Sequence, residues 1–186
     1  MHKNWFIEWE VYNVEINEKY NLGVKLDFNM PENFEDAFGS YNAPSHTLFF
    51  NIKWAVNENI IPPLFTVVHE MRHALHYHIP ESFSSMIRRS CNYAIIADIG
   101  IAYKLDGNKW LECKLEGTPD YLNDLYLLSP NELDANKYAF DYLQELLKDF
   151  SNLIEKLNEY YDSWKPKHNL IPIERVDDEL EKIYDY

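Results

Sequence analysis

Apolar positions recur along this chain with two different periods, and the changes of period predict where strands give way to helices. Residues 5–16 begin with strand-like alternation, Ile7, Trp9 and Val11 on one face and Glu8 and Glu10 on the other. The parity shifts near Asn13, which marks a bulge or a turn. After a polar turn region at 17–23, Val24, Leu26 and Phe28 alternate with Lys25, Asp27 and Asn29 as a second strand. Pro31 to Phe38 starts with proline and acids and stops at Gly39, which predicts a short helix, and 41–45 reads as loop. Thr47-Leu-Phe-Phe-Asn-Ile52 is a β-branched and aromatic run, a third strand expected beside the helix that follows and able to pair its edge with an extended peptide.

Helical spacing dominates from there. Pro62 and Pro63 suit a first helical turn, where a missing N–H costs little, and Pro80 stops the pattern, so a helix is expected over 62–78. A second long helical pattern runs from Glu81 to about Leu105 and ends at Asp106-Gly107; residues 106–128 read as irregular, with Gly117-Thr-Pro119 as a breaker. Ser129-Pro130-Asn-Glu132 is a helix start, with Ser as N-cap, Pro at the first helical position and Glu three after the cap. The helix it opens, 130–149, carries Leu133, Ala135, Tyr138, Ala139, Tyr142, Leu143, Leu146 and Leu147; the pattern is compatible with continuation to Trp164 and with a break near Phe150-Ser151. Residues 173–185 predict a last, acidic helix. No internal repeat or linker divides the chain. The expectation is one α+β domain over 1–186, with a small mixed or antiparallel sheet of about three strands packed on helix 62–78. Its core spans about residues 45–147, with helical additions over about 150–186.

Helix 62–78 carries the chemistry. His69, Glu70 and His73 spell His-Glu-x-x-His, and residues four apart share one helix face. That lets two imidazoles reach one zinc ion, with Glu70 beside them as the base that activates a zinc-bound water. Chance yields this pattern roughly 0.025 times in a chain of such make-up, and Val67, Val68, Met71 and Leu75 supply an apolar opposite face. A catalytic zinc site needs a third protein ligand. Position 76 is His where a three-histidine motif needs Gly, and position 79 is Ile, so that class fails. Glu132 is the expected third ligand. Asn136, one turn later, would orient a ligand histidine, and Ala135 and Ala139 are small enough for close helix approach. Asp134 is the rival ligand but faces another way. His76 is expected behind the ligands or in the cleft, and His78 points away. His76, Tyr93, Tyr103 and Tyr138 are candidate donors to a developing oxyanion.

Composition narrows the partners. The formal net charge is −14, which excludes a phosphate-backbone partner, since no basic stripe exists to displace counterions, and leaves basic proteins or peptides. No apolar run is long enough to span a bilayer or act as a signal peptide. Cys91 and Cys113 lack Cys-x-x-Cys spacing and read as reduced thiols, so a cytoplasmic protein is expected.

Thr47 to Asn51, then Phe65 to His73, then Glu132-Leu-Asp-Ala-Asn-Lys-Tyr-Ala139 together resemble the ImmA/IrrE family of intracellular bacterial zinc peptidases over about residues 45–147. The resemblance implies a minimal zincin-like, gluzincin-type core, with His69, His73 and Glu132 on zinc and Glu70 as base. It also implies a protein substrate, often a repressor in phage, mobile-element or stress circuits. The chain departs from the family pattern at Arg72, where glycine is common. Its segment 81–128 is long, the Met-Pro after the second helix is absent, and no helix-turn-helix module is evident. Two other readings stay open: a zinc-containing binding protein that grasps a basic partner without cutting it, and a metal-free scaffold.

Overall fold

The computed structural model describes residues 17–32, 34–55, 59–97 and 100–184, so the strand expected over 5–16 lies outside the described residues. The described residues are mixed α+β and build two small three-stranded sheets. Strands β1 (Lys25–Asp27), β2 (Gly39–Asn42) and β3 (Thr47–Phe50) form the first sheet in the order β1-β3-β2. β1 runs parallel to β3 and β2 antiparallel to it. β3 is therefore paired on both sides, and the outer strand that faces the motif helix is β2, not the run 47–52 expected to offer its edge. On β1 the alternation also fails: Leu26 and Phe28 are 37% and 42% exposed while Val24 is buried.

The short helix expected over 31–38 does not form among the described residues. Phe34 N donates to Pro31 O and Ala37 N to Phe34 O, which makes successive turns. Asn51 Nδ2 takes the carbonyls of Glu35 and Ala37 at 2.9 and 3.1 Å, so a side chain satisfies the acceptors that a helix would have used. The expected loop at 41–45 is half strand, because Tyr41 and Asn42 belong to β2. Gly39 is needed there: a Cβ would lie 2.7 Å from Thr66 Cγ2 and 3.3 Å from Glu70 Cγ, so only glycine lets this strand run across the motif helix.

After a single helical turn at Ile52–Ala55 comes α1, Ile61–His78, the expected motif helix. The long helix expected over 81–105 is instead a short helix, α2 (Ser85–Ser90), capped by Ser84, followed by two strands, β4 (Tyr93–Ile96) and β5 (Ile101–Asp106). Asp106-Gly107 is not a helix end but a hairpin turn: Gly107 has φ +59° and Asp106 pairs with Lys109 across a two-residue loop. The segment expected to be irregular supplies β6 (Lys109–Lys114) and α3 (Pro119–Leu127), and Thr118-Pro119, read as a breaker, is the N-cap and first position of that helix. The second sheet is antiparallel, in the order β4-β5-β6. α4 (Pro130–Leu146) ends before the break at 147–150, and α5 (Ser151–Ser163) is a separate helix. The expected acidic helix is α6, Val176–Tyr184.

Two apolar clusters hold these pieces. In the first, Leu48 and Phe50 of β3 meet Phe65, Met71 and Leu75 of α1, Leu143 of α4 and Leu157 of α5. Each such large side chain, fully withdrawn from water, contributes about 1.5–3 kcal/mol. The second joins Ala102 of β5 to Leu122 and Leu125 of α3 and to Val176 and Leu180 of α6. Ala135 and Ala139 of α4 are fully buried, which lets α4 lie close along α1 and carries Glu132 toward the motif. No helix among the described residues is long and apolar enough to cross a membrane.

Candidate metal centre

His69 and His73 stand one turn apart on α1, with Nε2 atoms 2.9 Å from each other. Glu132, in the first turn of α4, brings Oε2 to 3.3 Å from His69 Nε2 and Oε1 to 3.4 Å from His73 Nε2. Ligand atoms that share a tetrahedral zinc at bond lengths of about 2.0–2.1 Å are separated by about 3.3 Å, so these spacings fit one ion. Two further observations agree. All three residues are buried, and Glu132 Oε2 has a long 3.3 Å contact to His69 Nε2 in place of a well-formed hydrogen bond, a costly state that a cation would relieve. Burial by itself would raise the Glu132 carboxyl; the charges and hydrogen bonds of His73 and His69 outweigh it and hold it well below the usual carboxylate range.

Glu132 is oriented by residues that the sequence reading passed over. Asn131 Nδ2 donates to Glu132 Oε1 at 3.1 Å, Asn131 N donates to Ser90 Oγ at 3.0 Å, and Ser90 Oγ donates to Ile87 O at 2.8 Å. The expected capping box is absent: the Ser129 side chain makes no cap bond, and its hydroxyl donates to Leu125 O. The Glu three residues after the cap faces the histidines instead. Asn136 is buried, but neither of its amide atoms, nor Nδ1 of His69, has a hydrogen-bond partner among the described residues, so the orienting bond expected of Asn136 is not made. Trp164 packs against His69 with ring centroids 5.4 Å apart and planes tilted by 32°.

His76 and Asp134 form a second polar cluster behind the ligands. His76 Nε2 lies 2.8 Å from Asp134 Oδ2, and its ring packs edge-on to His73 at 5.4 Å. Arg72 donates to the same carboxylate through Nε at 2.7 Å and Nη2 at 3.3 Å, and its guanidinium sits between the rings of Phe83 and Tyr138, 4.7 and 4.4 Å from their centroids. Asp134 thus faces away from the histidine pair, as its spacing from Glu132 predicts. Burial pushes His76 down to about 4 against the pull of Asp134. Burial would raise Asp134, but hydrogen bonds from His76 and Arg72 hold it at about 2. His78 is not idle: its Nε2 lies 2.9 Å from His46 Nδ1, which ties the end of α1 to the start of β3.

Glu70 lines a cavity of about 370 Å³ together with His69, His73 and Glu132. Burial pushes the Glu70 carboxyl up to about 7, with His69 pulling it down and Glu132 pushing it up. Of the expected oxyanion donors, Tyr93 lines this cavity. His76 is spent on Asp134, Tyr138 lies over Arg72, and Tyr103 pairs with Ala94 from β5. Three other tyrosines line it: Tyr41, Tyr77 and Tyr126. Tyr77 donates to Cys91 O. Burial and the nearby Glu132 charge push Tyr126 well up. The Tyr41 hydroxyl is buried without a partner among the described residues, and burial pushes it up to about 12, so it stays a donor. No local signal marked Tyr41, since it lies on a strand that only pairing with β3 creates. Cys91 and Cys113 are free thiols. No family model, curated protein or solved structure matches the chain.

Proposed function

We propose that the chain is a zincin-like zinc metallopeptidase, similar to the ImmA/IrrE family, that cleaves a peptide bond of a protein partner in the cytoplasm. The observation that supports this most is the meeting of His69, His73 and Glu132 at zinc-like spacings beside Glu70 in the wall of a cavity. Zinc held by these three residues would supply Lewis acidity at the scissile carbonyl and a lowered pKa for water. Glu70 then takes the proton of the attacking water and returns it to the leaving amine nitrogen as the C–N bond breaks. Tyr41 donates to the carbonyl oxygen as it gains charge. Arg72, His76 and Asp134 hold α1 and α4 in register. The net charge of −14 favours a basic protein over a nucleic acid, and a repressor or other regulator suits that reading.

The test is metal content and hydrolysis together. Wild-type protein purified without chelator should carry stoichiometric zinc and cut peptides; Glu70→Gln should keep the zinc and lose hydrolysis by about a hundredfold or more. Zinc near zero would leave a metal-free scaffold. Full activity in Glu70→Gln would refute the role of Glu70, and zinc without any hydrolysis would favour a binding protein that grasps its partner uncut.

A further inference from the structure

We propose that the site cavity is a two-edged slot that holds one extended, uncharged peptide segment between β2 and β4; this deepens the peptidase reading and rests on it. The two sheets each present an outer strand to the same space. β2 is an outer strand of the first sheet and β4 an outer strand of the second. Gly39, Ser40 and Tyr41 line the cavity, and so do Tyr93 through Ala97. Successive side chains of a strand point to opposite faces. A run of consecutive lining residues fits a cavity that meets the strand along its edge, with Trp110 reaching it from β6.

The hydrogen-bond ladders say which backbone groups that edge carries. In an antiparallel pair, residues alternate between exchanging bonds with the neighbour and pointing away from it. Leu105 N donates to Asn92 O at 2.7 Å, next to the pair Tyr93↔Lys104, so Ala94 and Ile96 spend their groups on β5 and the N–H and C=O of Ile95 point away from it. On β2, Asn51 N donates to Phe38 O at 3.0 Å, so Ser40 is the residue bonded to β3, and Gly39 and Tyr41 direct theirs outward. The Tyr41 N–H is taken by the Glu70 carboxylate, so on this edge the Tyr41 C=O and the Gly39 backbone groups are the ones left for a partner strand. A strand laid between the two would find bonding groups on both sides, the arrangement of β-augmentation doubled.

The slot's chemistry selects what enters. Among the described lining residues the charged groups are Glu70 and Glu132, both at the metal site, and there is no Lys or Arg. A charged side chain placed elsewhere in the slot would lose its water without gaining an ion-pair partner. Ala37, Ala94, Ile95 and Trp110 favour small or apolar side chains. The overall acidity of the chain acts at a distance on a basic partner, while the segment seated between the strands is neutral.

The experiment uses full-length, zinc-loaded Glu70→Gln protein and fluorescein-labelled decapeptides from a library of Gly, Ala, Ser, Val, Leu and Phe, read by anisotropy. The tightest binder is then N-methylated one residue at a time. Successive N–H groups of a strand point to opposite sides, so two-edged binding makes consecutive positions sensitive, each weakening affinity about fivefold or more. Sensitivity at alternate positions alone means one edge and overturns the proposal. Ile95→Pro, which removes an N–H that the β5 ladder does not use, should reduce the consecutive pattern to the alternating one; if that variant does not fold, the scan on unaltered β4 decides. No library member binding at about 1 mM overturns the slot, and hydrolysis of charged peptides by wild-type protein would then leave the peptidase reading standing. Consecutive sensitivity without hydrolysis by wild type would keep the slot and refute the peptidase. A dimer abolished by Ile95→Pro would assign the edge to a second copy and overturn the proposal.

Discussion

Removing the Asp134 carboxylate should loosen the helix pair that builds the candidate metal site, although Asp134 touches none of His69, His73 and Glu132. Its oxygens accept two bonds from Arg72 and one from His76, and the pair spans α1 and α4. The side chains of Arg72 and Asp134 are 21% and 24% exposed, and that of His76 is fully buried. A fully buried ion pair that loses one member costs about 3–5 kcal/mol; the residual exposure here brings the expectation for Asp134→Ala to about 2–3 kcal/mol. For a chain of this length that lowers Tm by about 5–10 °C. Because Glu132 lies two residues earlier on the same helix, zinc affinity should fall about 10–100-fold, as it does when groups that orient metal ligands are lost. Urea unfolding of the metal-free protein gives the first quantity, and competition with a chromophoric chelator gives the second. The double variant Arg72→Met with Asp134→Leu should recover much of the stability, since it leaves no unpaired charge. Asp134→Ala within about 0.5 kcal/mol of wild type, with unchanged zinc affinity, would refute the reasoning.

The share of the metal-free protein's stability that His76 contributes should be lost to acid in a defined window. His76 is held neutral, with its folded value near 4 against an ordinary 6.5, so the unfolded chain takes up a proton first. The stability this contributes is complete above about 6.5 and is lost as pH falls toward 4; the Asp134 contribution, with a folded value near 2 against 3.8, is lost only below that. Glu70, with a folded value near 7 against 4.5, takes up its proton first in the folded protein and opposes this loss in the same window, so the comparison of variants decides: from pH 7 to 4 the urea midpoint of wild type should drop relative to that of His76→Leu, and parallel curves would exclude His76 as the source. Gly39→Ala should cost about 1–3 kcal/mol through its 2.7 Å approach to Thr66 Cγ2, and adding Thr66→Ser should restore part of the loss in thermal melts. Tyr41→Phe should lower kcat about 100-fold with KM little changed if Tyr41 has the proposed role of donor to a charge that exists only in the transition state; unchanged kcat would remove Tyr41 from the site.

Much of the centre was legible because it is local. The motif helix runs where Pro62 and Pro80 bracket it, and the start at Ser129-Pro130 is where α4 begins. Other parts were hidden for physical reasons. Gly-Ser-Tyr-Asn has little intrinsic strand preference, and β2 exists because β3 supplies the pairing and Gly39 the clearance over Thr66. The run from Tyr93 to Asp106 has spacing that fits a helix, yet Gly100 and Gly107, at φ +66° and +59°, turn it into a meander. The hairpin signal Asp106-Gly107 was present and pointed to strands on both sides. Asn131 and Ser90 gave no warning, since a serine ending one short helix and an asparagine opening another meet only in space.

The sequence by itself determined that His69, Glu70 and His73 share a neighbourhood, because helix geometry sets the spacing of residues a turn apart wherever the helix lies. It also placed Glu132 at the start of a helix with a small-residue stripe. Whether that carboxylate meets the histidines was decided by tertiary packing: two buried alanines set the distance between α1 and α4, and Asp134 with Arg72 and His76 sets their register. The walls of the cavity come from two outer strands far apart in the chain. No local preference can encode that meeting, since pairing and burial act between segments that touch only once the fold has closed.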